Sequence, residues 1–174
     1  MPSRNEVLAM RIQTGLGKIA ATAHNQMFGF VFAALRIVLG MQFFGAGWSK
    51  LTTDWSAAGF LAIANGPFAE WFQSLAGNAL VDGLNVWGLM LIGLALVLGF
   101  AVRPAAIAGM FIMVLYYLAG FTENTAHGFI DFHVIYFLIF ALFACGGAGN
   151  VFGLNAVALG HVRRVTAWWK FILG

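Results

Sequence analysis

Apolar residues run along this chain in four long stretches, and the formal charges gather mostly in the short segments between them. Between Asp82 and Arg103 lie 20 uncharged residues, between Arg103 and Glu123 lie 19, and after Asp131 no charge occurs until Arg163. An earlier stretch, Met27 to Trp48, is interrupted only by Arg36. A helix needs roughly 20 apolar residues to cross the hydrocarbon of a bilayer. The pattern therefore predicts membrane helices near 27–48, 83–101, 104–122 and 131–149. Arg103-Pro104 leaves room only for a tight turn, with Pro at a first helical position.

The connecting segments are patterned too. Leu8, Ile12, Leu16, Ile19 and Ala23 share one helical side, while Arg11, Thr14, Lys18, Thr22 and Asn25 share the other. Residues 1–26 thus read as an amphipathic helix on the membrane surface, basic side toward anionic headgroups. Residues 156–174, with Val162, Val165, Trp168, Trp169 and Ile172, repeat the device. The loop from Ser49 to Asp82 is too apolar for a solvated connection. It predicts two short helices broken at Asn65-Gly66-Pro67, the second burying Phe68, Trp71, Phe72 and Leu75 at i, i+3, i+4, i+7. These form an outer lid over a four-span domain of residues 27–155.

Composition agrees with this all-α, integral membrane four-helix bundle: 61% of residues are hydrophobic and 9% charged, against about a quarter charged in soluble domains. A soluble enzyme, a disordered chain and a nucleic-acid binder are excluded, and membrane lipids are the expected surroundings. The net charge of +3 reads as topology. Arg4, Arg11, Lys18, Arg103, Arg163, Arg164 and Lys170 fall on one side, while Asp54, Glu70, Asp82, Glu123 and Asp131 fall on the other. The positive-inside rule then puts both termini in the cytoplasm. Tryptophans 48, 55, 71 and 87 read as an outer aromatic belt. The single Cys145 excludes an intramolecular disulfide and a CxxC pair.

Two bases remain outside the topology argument. Arg36, Gly40, Phe43, Gly47 and Lys50 lie within about 40° of the Arg36 direction on one helix face. The glycines leave space there for a neighbouring helix or for a ligand. Arg36 either faces that space or snorkels to headgroups, and Lys50 lies close to the outer boundary. A second cluster, His127, Asp131 and His133, marks the start of the fourth helix. An imidazole beside a carboxylate relays protons near neutral pH; alternatively Asp131 caps the helix, favoured by its dipole. On a straight helix His133 points about 160° from Asp131, so the three do not converge. No metal or haem ligated by this chain is expected: only His133 lies within a span, and zinc spacings are missing.

Arg36 with Leu39-Gly40 and then Gly45-Ala46-Gly47-Trp48-Ser49-Lys50-Leu51 resembles the first-helix pattern of the DoxX/DoxD family. Leu98-Gly99-Phe100-Ala101-Val102-Arg103-Pro104 resembles its turn between helices two and three. Gly147-Ala148-Gly149 followed by Phe152-Gly153-Leu154-Asn155 resembles its terminal Gly-x-Gly and Leu-Asp pair, with Asn155 replacing the Asp. The acidic residue frequent near the start of the second helix is also replaced, by Asn85 or Trp87. The resemblance covers residues 33 to 155. It implies a four-helix subunit of bacterial or archaeal cytoplasmic membranes, some relatives being the membrane subunit of thiosulfate:quinone oxidoreductase. The leading expectation is a quinone-linked oxidoreductase subunit with quinone as substrate and its pocket under the lid. Asp131 and His133 would handle protons and Arg36 and Lys50 would attract the substrate, with Phe43, Trp48 and Tyr117 flanking the ring. The rival is a non-catalytic accessory subunit packed among other subunits of a respiratory or photosynthetic complex. A small transporter is the third, though the spans show no inverted repeat.

Overall fold

In a bilayer no hydrophobic force drives one apolar helix onto another, so close packing and hydrogen bonds have to hold a bundle together. The computed structural model describes residues 4–126 and 128–155, with side chains from residue 25 onward. Its elements are α1 (Arg4–Leu51), α2 (Ala58–Ala62), α3 (Ala69–Ser74), α4 (Ala79–Leu98), α5 (Val102–Ala119), α6 (Phe121–Asn124) and α7 (Phe132–Gly146), then a 3-10 turn at Ala148–Asn150. Among the described residues there is no strand, only an isolated bridge between Asn65 and Gly120. Among the described residues, three helical segments are long and apolar enough to cross a membrane: Asn25–Leu51, Ala79–Leu98 and Val102–Ala119. α7 is equally apolar in character but has 15 residues.

Glycine sets the approach of α1 to α4. A Cβ added at Gly93 would lie 2.3 Å from the Phe44 backbone nitrogen and 2.6 Å from the Gly40 carbonyl oxygen. One added at Gly40 would meet the Gly93 carbonyl at 2.9 Å, and one at Gly47 the Met90 side chain at 2.6 Å. The space beside the Arg36–Lys50 face is therefore filled, over Gly40 to Gly47, by another helix and not by a ligand. Gly109 does the same for α5 and α7, where its Cβ would sit 2.5 Å from the Phe140 ring. Between these contacts lies one core, to which α1 gives Phe32, Leu39 and Phe43, α4 gives Leu89, Ile92 and Leu96, α5 gives Val102, Ala106 and Met113, and α7 gives Phe140 and Phe143. Outside it, large apolar side chains such as Leu84, Leu91, Phe111 and Leu138 are more than half exposed. A surface this apolar is a lipid-facing one.

Several boundaries differ from those the sequence pattern predicts. α1 is one helix of 48 residues, about 72 Å long, so no break at residue 26 divides the surface segment from the span. The side chains that make the N-terminal segment amphipathic, the whole of 156–174, and His127 lie outside the described residues. The turn between α4 and α5 comes earlier than Arg103-Pro104. Gly99 (φ 65°) ends α4 in the left-handed region, Ala101 (φ 52°) begins α5 from it, and Arg103 and Pro104 already lie in the first helical turn. Pro is tolerated there because its missing N–H would have no partner in that turn. In α3, the predicted buried face is only partly buried: Phe72 is inside, while Phe68 and Trp71 are exposed. A short helix at the membrane edge shows its other apolar side chains to lipid at no penalty.

Because backbone atoms, not flexible side chains, block the space at Gly93, Gly93→Leu should destabilise the bundle by more than the ~1–3 kcal/mol of ordinary overpacking. Gly45→Leu, where an added Cβ meets nothing within 4 Å, should leave thermal unfolding in detergent unchanged. Equal unfolding temperatures for the two variants would contradict this account of the α1–α4 crossing.

Candidate functional site

α1 carries Arg36 and Lys50 fourteen residues apart, about 21 Å along the helix. The structure separates them accordingly. Arg36 lies at the end of the bundle where α4 turns into α5, with no exposed surface. Its Nη1 donates to the carbonyls of Ala148 and Val151, the latter at 3.0 Å, and its Nη2 donates to that of Phe152 at 3.1 Å. These acceptors belong to the 3-10 turn just after α7 and to the two residues that follow it. Gly99 and Gly153 press on the guanidinium: a Cβ at either would lie 2.8 Å from Nη1. Asn155 closes the knot, its backbone N–H donating to Gly99 O at 3.0 Å and its Oδ1 accepting from Ala101 N at 3.2 Å. Arg36 thus neither snorkels nor faces a ligand. Its acceptors are all backbone carbonyls. Arg103, beside it, donates from Nε to Ala144 O at 3.1 Å.

The opposite end holds a cavity of about 620 Å³, within the usual range for small-molecule sites. α2 and α3 roof it with Phe60, Leu61, Ile63, Trp71 and Phe72. The lid is tied down at two points. Asp82, at the start of α4, accepts from Ser56 Oγ at 2.7 Å and Ala57 N at 2.8 Å. Asn65 accepts from Thr122 N at 2.7 Å and donates to Glu123 Oε2 at 2.7 Å. That second bond is the main reason the Glu123 carboxyl is held below its ordinary pKa. Gly66 (φ 87°) allows the chain to turn there against Phe121, whose Cβ would lie 2.5 Å from an added Cβ.

Two further polar groups meet in this largely apolar space, whose lining also includes Asn65, Glu123 and Asn124. Lys50 Nζ donates to Asn85 Oδ1 at 2.8 Å and sits 3.7 Å from the centroid of the Trp55 ring. Asn85 Nδ2 in turn donates to Tyr116 Oη at 2.6 Å, which leaves the phenolic hydrogen for another acceptor. From α7 comes His133, buried, its Nδ1 2.5 Å from Asp131 Oδ2 and its ring in edge contact with Tyr116. Asp131 also accepts from the backbone N–H of His133 and Val134. The helix cap and the imidazole–carboxylate contact of Asp131 are therefore one arrangement. The 160° separation does not apply, because Asp131 is the N-cap with extended backbone (φ −118°, ψ −173°) and its side chain folds back over the first turn. With Nδ1 engaged, Nε2 is the ring nitrogen that remains to meet a ligand.

Of the residues singled out in the sequence, Lys50 and His133 line the cavity and Asp131 backs it. Phe43 does not: it is core, edge-on to Phe140 at 5.0 Å and to Tyr136 at 6.1 Å. Trp48 faces outward, stacked on Phe44. Tyr117 points one residue away from the cavity, donating from Oη to Phe129 O at 3.1 Å. Its neighbour Tyr116 takes the lining position, because adjacent helical residues diverge by about 100°. Trp55 is a wall of the cavity in contact with Lys50. Asn85 and Tyr116 went unassigned as ligand-facing groups, although a polar side chain inside an apolar helix is itself a signal.

Arg36→Met should cost at least about 3 kcal/mol, since charge-assisted hydrogen bonds are worth ~1.5–3 kcal/mol each. Arg36→Lys should recover less than half of that loss, because an ammonium lacks the fork that reaches three carbonyls; unfolding in detergent measures both. For the lid, the depressed Glu123 pKa stabilises the closed form above the unfolded-state value of about 4.3. That contribution is lost as pH falls through the folded value. Once the intrinsic acid slowing of amide exchange is corrected for, the protection of residues 58–74 should therefore fall on acidification below about pH 4, and Glu123→Gln should remove that pH response.

The sequence model of the DoxX family matches residues 31–128, more than half of the chain. The match takes in Arg36, Lys50, the lid, α4, the Arg103 turn and α5, and ends before α7. No curated protein and no solved structure matches the chain. With three apolar helices of membrane-crossing length, the protein is a multi-pass membrane protein. It belongs to the DoxX family.

Proposed function

We propose that this chain is the quinone-binding membrane subunit of an oxidoreductase, with the ring held in the cavity beneath α2 and α3. The observation that carries the reading is a pair of donor systems lining one largely apolar space: Lys50–Asn85–Tyr116 and, beside Tyr116, His133–Asp131. A planar ring with two carbonyl oxygens needs an apolar slot and a hydrogen-bond donor for each oxygen. Reduction to the quinol takes up two electrons and two protons. Lys50 Nζ or Tyr116 Oη can protonate one oxygen. His133 can protonate the other from Nε2, with Asp131 stabilising the imidazolium through Nδ1. Trp55, Phe60 and Phe132 line the same space and offer faces to the ring. The electrons come from a donor outside this chain, thiosulfate being the class that the family resemblance implies.

The same reading makes α7, with the turn behind it, a fourth membrane crossing. Its 15 residues are uncharged and pack along α5 and against α1 in the common core. The charge distribution supports N- and C-terminal ends on the cytoplasmic side of a bacterial or archaeal cytoplasmic membrane. Arg36 enters as a positioning residue that closes the far end of the bundle.

A second reading, a non-catalytic subunit of a larger membrane complex, draws on the length of α1, which exceeds by far what one bilayer crossing uses. Binding decides between them. A short-chain benzoquinone should quench the fluorescence of the cavity tryptophans Trp55 and Trp71. Lys50→Met and His133→Ala should each raise its Kd about 10–100-fold, as loss of one charge-assisted hydrogen bond does. Thiosulfate-dependent quinone reduction in membranes should fall with them. Wild-type affinity in both variants would overturn the site; no binding at all, with loss of a larger assembly on deletion, would establish the second reading.

A further inference from the structure

A second cavity, of about 680 Å³, runs along the outside of the seam between α4 and α5. It adjoins the first. Trp71, Leu75, Val81, Asn85, Leu115 and Tyr116 line both. Its polarity is graded. Asn85 and Tyr116 stand where the two cavities meet, and beyond them the walls are apolar down to Ala101 and Pro104 at the far turn. From Val81 to Ala95 the lining positions of α4 cover about 21 Å of helix.

Small side chains keep this seam open. Gly88, Ala95, Ala105 and Ala108 all line it. Gly88 differs from Gly40, Gly47 and Gly93, which neighbouring atoms forbid to carry a side chain. A Cβ at Gly88 would meet only the tip of Ile112, at 3.6 Å, an ordinary contact. A glycine in a helix interior costs up to about 1 kcal/mol relative to alanine, and here helix packing does not require it. What its smallness provides is depth in the groove.

We propose that this groove is the tail subsite of the same ligand: an amphiphile whose ring sits by Lys50, Tyr116 and His133 lays one long hydrocarbon chain between α4 and α5. The inference rests on the quinone reading of the first cavity and deepens it. It assigns the ligand to the long-chain, membrane-dissolved class and excludes a water-soluble substrate arriving only through the lid. It also makes the seam the route in, since a chain already dissolved in the bilayer reaches the ring cavity laterally past Asn85 and Tyr116. Groove residues beyond those shared with the first cavity then act on ring binding only through the tail.

Two photoreactive probes test it on the full chain in nanodiscs: a benzoquinone with a decyl tail, carrying a diazirine on the ring in one and at the tail end in the other. Labelled residues are mapped by mass spectrometry, with and without excess unlabelled decyl-quinone. The expected result is competed ring labelling around Trp55 and Tyr116, and competed tail labelling around Leu91, Ala108 and Phe111. Gly88→Phe fills the groove with a better helix former than glycine. It should cut competed tail labelling about tenfold while leaving the affinity of a tailless benzoquinone unchanged. Val38→Phe, on an exposed part of α1, should change neither. Tail labelling that is spread over all lipid-facing helices, or that sits in the groove but is not competed, would mean that bilayer lipid fills the groove. That would overturn the tail subsite and leave the ring cavity standing. Uncompeted ring labelling would overturn the quinone reading itself, and the tail subsite with it.

Discussion

A guanidinium with no exposed surface sits inside this bundle, and its demand for acceptors shapes the end of the fold around it. Burying a charge without hydrogen bonds is costly enough to unfold a domain. Arg36 avoids that by collecting the carbonyls of Ala148, Val151 and Phe152. Those carbonyls belong to the turn that follows α7 and to the residues just beyond it. One side chain on α1 therefore fixes the path of the chain as it leaves another helix. Gly99 and Gly153 follow from the same contact, because any side chain at either would collide with the guanidinium. So does the position of Asn155, which fixes the left-handed Ala101 from outside the turn.

Closing that end so tightly leaves the other end as the place where an opening can form. α1 links the two as a continuous helix, pinned to α4 midway by the Gly40–Gly93 contact. Beyond it the polar residues face inward: Lys50 from α1, Asn85 from α4, Tyr116 from α5 and His133 from α7. Each comes from a different helix, so the set exists only while all four stay packed. The lid adds a separate, weaker closure through Asp82 and Asn65, both of which bind backbone or side-chain groups near the water boundary. Stability and access are thus assigned to different ends of the molecule.

The sequence made part of the site legible. Lys50 stood out because a base in an apolar segment needs a reason, and His133 beside Asp131 because imidazole and carboxylate act together. Choosing among neighbours was beyond it. Tyr116 and Tyr117 are chemically identical and adjacent, and only the rotation of α5 against α4 and α7 turns one inward. Phe43 and Trp48 look like ring-stacking candidates on any helical wheel, yet one is consumed by packing on Phe140 and the other by the lipid face. Arg36 and Lys50 do share a helix direction, but a shared direction says nothing of depth, and 21 Å of helix separates their surroundings.

By itself, the sequence determined that this chain is helical and membrane-embedded, that its ends and loops are marked by charge, and that glycine lies along one face of the first long helix. Those properties are local, set by the cost of exposing polar groups to hydrocarbon and by helical periodicity. Tertiary structure alone decided that the glycine face meets α4 and not a ligand, that Arg36 holds the chain just beyond α7, and that α4 and α5 leave a groove adjoining the cavity under the lid. Each of these depends on which atoms of two helices meet at which height. Helix crossing and register fix that height, and no single helix's pattern contains them.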